Sequence, residues 1–234
     1  MGTPFEVRFG AVAGWIALVG VFVAFIAIPM ALAGQPPTVN TDPQAVIAYF
    51  RHPEFALIDG VLGVFVGIVA IVPFGYGLRS ALKAGPAPEA RAFADLGFAF
   101  LLIAAPAYLV SSALGAMLVQ AATGDPGTFA SLFRFYDVLY DGGADVLEGA
   151  WIGAFSAAIL YSDLPRFVGW LGVVVMLSRW IKAFIPVAPV PEIVAPIGGV
   201  LFLAWFLAIV VVLTQAARRP ASSRLSDAEV VPLV

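Results

Sequence analysis

Long uncharged stretches alternate along this chain with short polar ones, and the stretches have the length of membrane crossings. Six of them fall at about 10–33, 56–78, 96–121, 138–161, 166–186 and 193–216, each near the ~20 apolar residues that a helix needs to cross ~30 Å of hydrocarbon. The first, GAVAGWIALVGVFVAFIAIPMALA, is longer than a secretory h-region and ends at Pro29 and Gly34 without a small-residue cleavage site, so it reads as a retained span. The pattern predicts an all-α polytopic membrane protein. It is a six-transmembrane-helix bundle forming a single domain over residues 1–219, with a polar, disordered tail at 220–234.

The polar segments add short interfacial helices in the outer loops. Between the first two spans, Asp42-Pro43 starts a helix whose Val46, Ile47 and Phe50 are expected on the membrane surface. Between spans three and four, TGDPGTFASLFRFYD reads as a turn and then an amphipathic helix with Phe129, Leu132, Phe133 and Tyr136 on its apolar side. Ser162 to Pro165 joins spans four and five, and IPVAPVPEIVAP joins five and six. Connections this short make spans four, five and six consecutive antiparallel neighbours.

Composition excludes a water-soluble fold: 62% of the 234 residues are hydrophobic and 12% charged, where globular chains carry about one-quarter charged. There is no cysteine and one histidine, His52. That excludes disulfides, thiolate metal sites, a bis-histidine haem and a multi-histidine cage, so no cofactor and no metal is expected. No basic run suggests nucleic acid, and no phosphate-binding motif suggests ATP-driven transport by this chain.

Lysine and arginine counts set the orientation. With the N-terminus cytoplasmic, inner segments hold Arg8, then Arg79, Lys83 and Arg91, then Arg166, then Arg218, Arg219 and Arg224; outer loops hold Arg51 and Arg134. The 8 to 2 split predicts both termini cytoplasmic. The remaining two bases, Arg179 and Lys182, fall inside span five.

Span four, DVLYDGGADVLEGAW, places Asp137, Asp141, Asp145 and Glu148 within about 80° of arc at ~100° per residue. An ionised carboxylate facing lipid costs several kcal/mol, so this stripe is expected to face protein, water or the outer interface. Folding spans four and five about Asp163 brings Arg179 level with Leu147, beside Glu148 and Asp145, and Lys182 level with Ala144, between Asp141 and Asp145. Four acids against two bases leave two formal negative charges, to be balanced by water, Arg134, a protonated carboxyl or a cationic ligand. Asp59, near the outer end of span two, is a further candidate for the same vestibule, or an ordinary first-turn acid. Asp95 reads as a first-turn acid, His52 as an interfacial polar residue and the five tryptophans as anchors or packing. Gly10 with Gly14, Gly63 with Gly67 and Gly149 with Gly153 are small-residue pairs that permit close helix approach.

Leu164-Pro165-Arg166-Phe167 with Gly169-Trp170-Leu171-Gly172, entering a fifth span and followed by a Pro-bounded last span ending LFLAWFLAIVVVL, resembles the DUF4386-like group of uncharacterised bacterial membrane proteins. The resemblance covers the layout of about 200 residues. It implies a bacterial inner-membrane location and assigns no activity.

Three functions fit these features. The leading one is a non-enzymatic membrane protein with an acidic, outward-facing cavity between helices four and five that binds or conducts a proton, cation or small amphiphile, with Asp59, Asp137, Asp141, Asp145, Glu148, Arg179 and Lys182 as the binding candidates. The second is a carboxylate-dependent membrane enzyme such as an isoprenoid cyclase, whose acid step needs neither cysteine nor histidine. The third is an accessory subunit of a larger membrane complex, in which buried charges set helix order. The expected partners are the lipid bilayer, a small cationic or amphiphilic ligand, and a membrane protein or a second copy of the chain. The charge split makes a direct topology prediction: in intact cells, a cysteine replacing Thr123 reacts with an impermeant thiol reagent and one replacing Ser222 does not. The reverse labelling pattern contradicts the orientation.

Overall fold

A computed structural model of the chain describes residues 4–34, 37, 41–185 and 193–218. Every regular element among them is helical. Helix α1 runs Pro4–Phe22, through a π-helical stretch Val23–Ala27, into Ile28–Ala33. Helix α2 is the short Pro43–Phe50, and α3 runs from Glu54 to Lys83 through two π-helical stretches, Ile58–Gly63 and Phe65–Ala70. Helix α4 is Pro88–Ala121, and α5 runs from Pro126 to Leu160 with a π-helical stretch at Val138–Ala144. Helices α6, Arg166–Lys182, and α7, Val194–Arg218, follow.

Five of these helices, α1, α3, α4, α5 and α7, are long and apolar enough to cross a membrane. The expected fifth crossing, α6, has 17 residues and carries two cations in its last turn, so length and composition alone do not make it a span. Residues 186–192 and the tail beyond 218, including the segment expected to be disordered, lie outside the described residues.

The helices close a ring in which each packs on its neighbours in the order α1, α3, α4, α5, α6, α7 and back to α1. Short turns enforce most of this order. The closing contact, between the first and last helices, is held by hydrogen bonds from Trp15 Nε1 to Thr214 Oγ1 at 3.1 Å and from Arg8 Nε to the Ala217 carbonyl at 3.3 Å. Gly10 and Gly77 bring α1 and α3 together so closely that a Cβ on either would meet the other's Cα. Along the α5–α6 seam, Gly149 seats Trp180 and Gly153 seats Met176 from one side, while Gly169 seats Leu160 and Gly172 seats Ser156 from the other.

Aromatic rings fill the centre. Trp151, Trp205, Phe74, Phe155 and Phe206 are almost wholly buried, with Phe74 edge-on to Phe206 at 4.8 Å and Trp151 tilted against Trp205 at 5.7 Å. Outward positions such as Val19, Val69, Ile103, Leu177 and Val200 remain exposed, an apolar belt compatible with a surface that meets lipid.

Two expectations for the loop helices need correction. Val46, Ile47 and Phe50 do not lie on a membrane surface; all three are buried in a cluster with Leu118, Phe129 and Phe133. The Phe129 to Tyr136 face is likewise not a separate interfacial helix. It is the first part of α5, continuous with the span, and Phe50 packs on Phe129, Phe133 and Tyr136 at 6.0–6.2 Å. Each amphipathic segment found the other's apolar face, which removes both from water. Both starts match the sequence: Asp42 accepts from the Gln44 and Ala45 backbone N–H groups, and Asp125 from that of Thr128. The backbone and hydroxyl hydrogen bonds from Thr128 hold the Asp125 carboxyl below its ordinary range.

Candidate functional site

The last turn of α6 meets α5 in a buried charge cluster. Lys182 Nζ donates to Asp145 Oδ2 at 2.8 Å, and Arg179 Nη1 donates to Asp145 Oδ1 at 3.3 Å. Arg179 Nε lies 3.5 Å from Glu148 Oε2. The side chains of Arg179 and Lys182 are each 11% exposed, Asp145 5% and Glu148 14%. These pairings follow the register set by the turn at Asp163. The last-turn position of both cations also places them where the helix dipole favours positive charge.

The four groups are formally neutral together, so the surplus of two negative charges does not arise within this cluster. The acids do not continue it as one straight stripe either. A π-helical stretch, with its i→i+5 spacing, turns less per residue than an α-helix; the arc computed at the α-helical angle therefore does not carry from Asp137, across Val138–Ala144, to Asp145. Asp137 is buried and partnered. The side chains of Asp141 and Asp59 lie outside the described residues, although their backbones fall in the π-helical stretches Val138–Ala144 and Ile58–Gly63.

Aromatic side chains from three helices surround the cluster. The Arg179 guanidinium sits 4.9 Å from the Phe202 ring centre on α7, and Lys182 Nζ sits 5.4 Å from that of Tyr140 on α5. On α4, the Tyr108 hydroxyl accepts a hydrogen bond from Trp151 Nε1 at 3.1 Å and lies within electrostatic reach of Glu148, Arg179 and Asp145. Polar capacity is left over here. Arg179 Nε is buried with no hydrogen-bond acceptor, and among the described residues neither the Tyr108 O–H nor the Glu148 carboxylate finds a hydrogen-bond partner for its remaining capacity. Asp145 is clamped from both sides; Glu148 is held by one long ion contact.

Tyr108, Tyr140 and Phe202 were not singled out by the sequence, and Trp151 was read only as one of five tryptophans serving as anchors or packing. A tyrosine in mid-span, carrying a hydroxyl that hydrocarbon cannot satisfy, is the one signal that pointed to any of them. Asp95 was also undervalued. It is not only a first-turn acid but receives Arg79 Nε at 2.6 Å and Lys83 Nζ at 2.7 Å, and the i, i+4 spacing of those bases opposite an acid across a short turn was the available sign. His52 lies 4.0 Å from Glu54, its ring in a T-shaped contact with that of Phe55 at 5.8 Å. Among the described residues, no group of three or more His, Asp and Glu could hold a metal ion.

No family model, curated protein or solved structure matches the chain.

The cluster predicts a specific pattern of rescue. Arg179→Leu leaves Glu148 without its cation, and breaking a buried pair from one side costs about 3–5 kcal/mol. Adding Glu148→Leu is expected to recover most of that loss, because the stranded carboxylate is gone while Asp145 keeps Lys182. Thermal unfolding of the detergent-purified variants measures it; a double variant no more stable than the single one contradicts the pairing.

Proposed function

We propose that the protein is a six-crossing integral membrane protein with both termini cytoplasmic, and that the α5–α6 cluster is a membrane-embedded centre exchanging a proton or small cation at Glu148. The observation that carries the reading is the unequal engagement of the two carboxylates. Asp145 takes Arg179 and Lys182 together, whereas Glu148 has one ion contact at 3.5 Å and unspent hydrogen-bonding groups beside it. A proton or small cation arriving at Glu148 competes with a single long contact, and Arg179 then falls back on Asp145.

In this reading α6 is the sixth crossing. At ~1.5 Å per residue its 17 residues span about 26 Å, and its two cations reach the outer boundary paired, which removes the cost that lipid would impose on them. The basic ends of α1, α3, α4 and α7 then face the cytoplasm, in keeping with the 8 to 2 charge split. The layout around Leu164-Pro165-Arg166-Phe167 supports placing the protein near the DUF4386-like group and in a bacterial inner membrane. A second reading, an accessory subunit whose charges only order its helices, is favoured by the close α5–α6 seam at Gly149 and Gly153.

Infrared difference spectra of the protein in lipid nanodiscs between pH 4 and 9 separate the two. The exchange reading expects a carboxyl band that responds to pH or to added cations, is lost in Glu148→Gln and is kept in Asp163→Asn, a substitution in the α5–α6 turn. A spectrum unchanged by Glu148→Gln contradicts exchange at Glu148 and leaves the accessory reading.

A further inference from the structure

At the end of the bundle opposite the charge cluster, α1, α3 and the start of α4 enclose an open recess of about 430 Å³ lined by Glu6, Tyr76, Arg79, Ser80, Lys83 and Arg91. We propose that this recess binds a phosphate group, carried by an anionic phospholipid or free in solution. The inference is independent of the reading of the α5–α6 cluster.

Charge is the first support. The lining holds three cations and one carboxylate, Glu6, which accepts the Tyr76 hydroxyl at 3.0 Å. Asp95 lies against two of the cations, Arg79 and Lys83. Counting both acids, the neighbourhood retains one formal positive charge, which a phosphodiester monoanion balances. The donors are also incompletely used. Arg79 reaches Asp95 through Nε alone, leaving its Nη groups without an acceptor among the described residues. Arg91 folds back on the turn, donating to the Gly85 and Pro86 carbonyls through Nε and one Nη, so its other Nη remains available.

Ser80 is the second support. It is 5% exposed yet lines the recess, and its hydroxyl has no hydrogen-bond partner among the described residues. A serine hydroxyl within a helix commonly bonds back to its own backbone; that of Ser80 does not, and since it is not one of the buried atoms left without a partner, its oxygen opens to the recess. Here it faces a space edged by guanidinium groups, and a phosphate oxygen is the acceptor that serves hydroxyl and guanidinium together. Position is the third. The recess lies where α3 ends and α4 begins, at the same end as Arg8 and Ala217, and basic clefts between membrane helices at the edge of the hydrocarbon suit anionic headgroups.

Native mass spectrometry of the purified full chain tests this with dioleoyl phosphatidylglycerol, dioleoyl phosphatidylcholine and inorganic phosphate as probes. At ~1 kcal/mol per basic contact, Arg91→Gln is expected to lower retention of the bound anion about fivefold, with the thermal midpoint unchanged because Arg91 is exposed and bonded only to its own turn. Ser80→Ala should weaken binding in the same direction. Selective retention of the phosphatidylglycerol that millimolar phosphate does not displace assigns the lipid as the source. Binding of phosphate without preference between the two lipids assigns the free anion. Equal retention of both lipids with no phosphate bound, or retention unaffected by Arg91→Gln, overturns the proposal.

Discussion

Two cations on one apolar helix form the constraint from which the rest of the arrangement follows. With α6 as the sixth crossing proposed above, Arg179 and Lys182 could not face hydrocarbon at acceptable cost, which leaves α6 one face and one depth: those at which Asp145 and Glu148 receive them. Replacing such a cluster by apolar side chains would often be neutral for stability, whereas stranding one member is costly. Its contribution is therefore to specificity of packing rather than to total stability. Once α6 is fixed against α5, the interlocking of Gly149 with Trp180 and of Gly172 with Ser156 follows, and α7 is drawn in by the Phe202 ring over Arg179.

The two ends of the bundle are built differently. From Trp151 and Trp205 toward the α5–α6 turn, rings and small residues pack around two buried polar residues among those described, Ser80 beside the basic recess and Ser156, whose hydroxyl bonds back to the Ile152 carbonyl. Toward the α2 end, α1, α3 and α5 all contain π-helical stretches, and the buried Asp137 and the Asp145 cluster lie there as well. Such stretches widen a helix and expose carbonyls that an α-helix would satisfy, which is why they gather where a protein needs polar contacts at depth. The coincidence of widened helices, paired charges and the underused Glu148 and Arg179 Nε makes this the chemically distinctive half of the molecule.

Much of this was legible beforehand, for identifiable reasons. Crossing lengths are set by bilayer thickness, and the tight turn at Ser162 to Pro165 fixes the register of α5 against α6, so Arg179 and Lys182 could be matched to Asp145 and Glu148 by counting from Asp163. The arc that grouped Asp137 with those acids assumed an unbroken α-helix, and the π-helical stretch Val138–Ala144 leaves no signature in the spacing of apolar residues. The loop helices were found but misplaced: amphipathicity reveals that a face will be buried, not what buries it, and Phe50 chose Phe129 and Phe133 over lipid. Tyr108 comes to the cluster from α4, whose four-residue turn into α5 leads first through Pro126–Asp137 and the π-helical stretch Val138–Ala144, so counting from that turn does not carry to Trp151; Phe202 comes from α7, which no turn joins to α5.

The central claim is the contact between Lys182 and Asp145, and the chain's composition makes it directly measurable. The protein contains two lysines, Lys83 and Lys182; in a Lys83→Arg background the remaining lysine nitrogen reports on Lys182 alone. Solid-state NMR of membranes containing that variant, with ¹⁵N in the lysine side chain and ¹³C in the aspartate carboxyls, gives the nitrogen-to-carboxyl separation. The account predicts strong dipolar dephasing, corresponding to an ion pair within about 4 Å, that falls markedly on Asp145→Asn. An ammonium signal with no dephasing in the Lys83→Arg protein, or dephasing indifferent to Asp145→Asn, would contradict it.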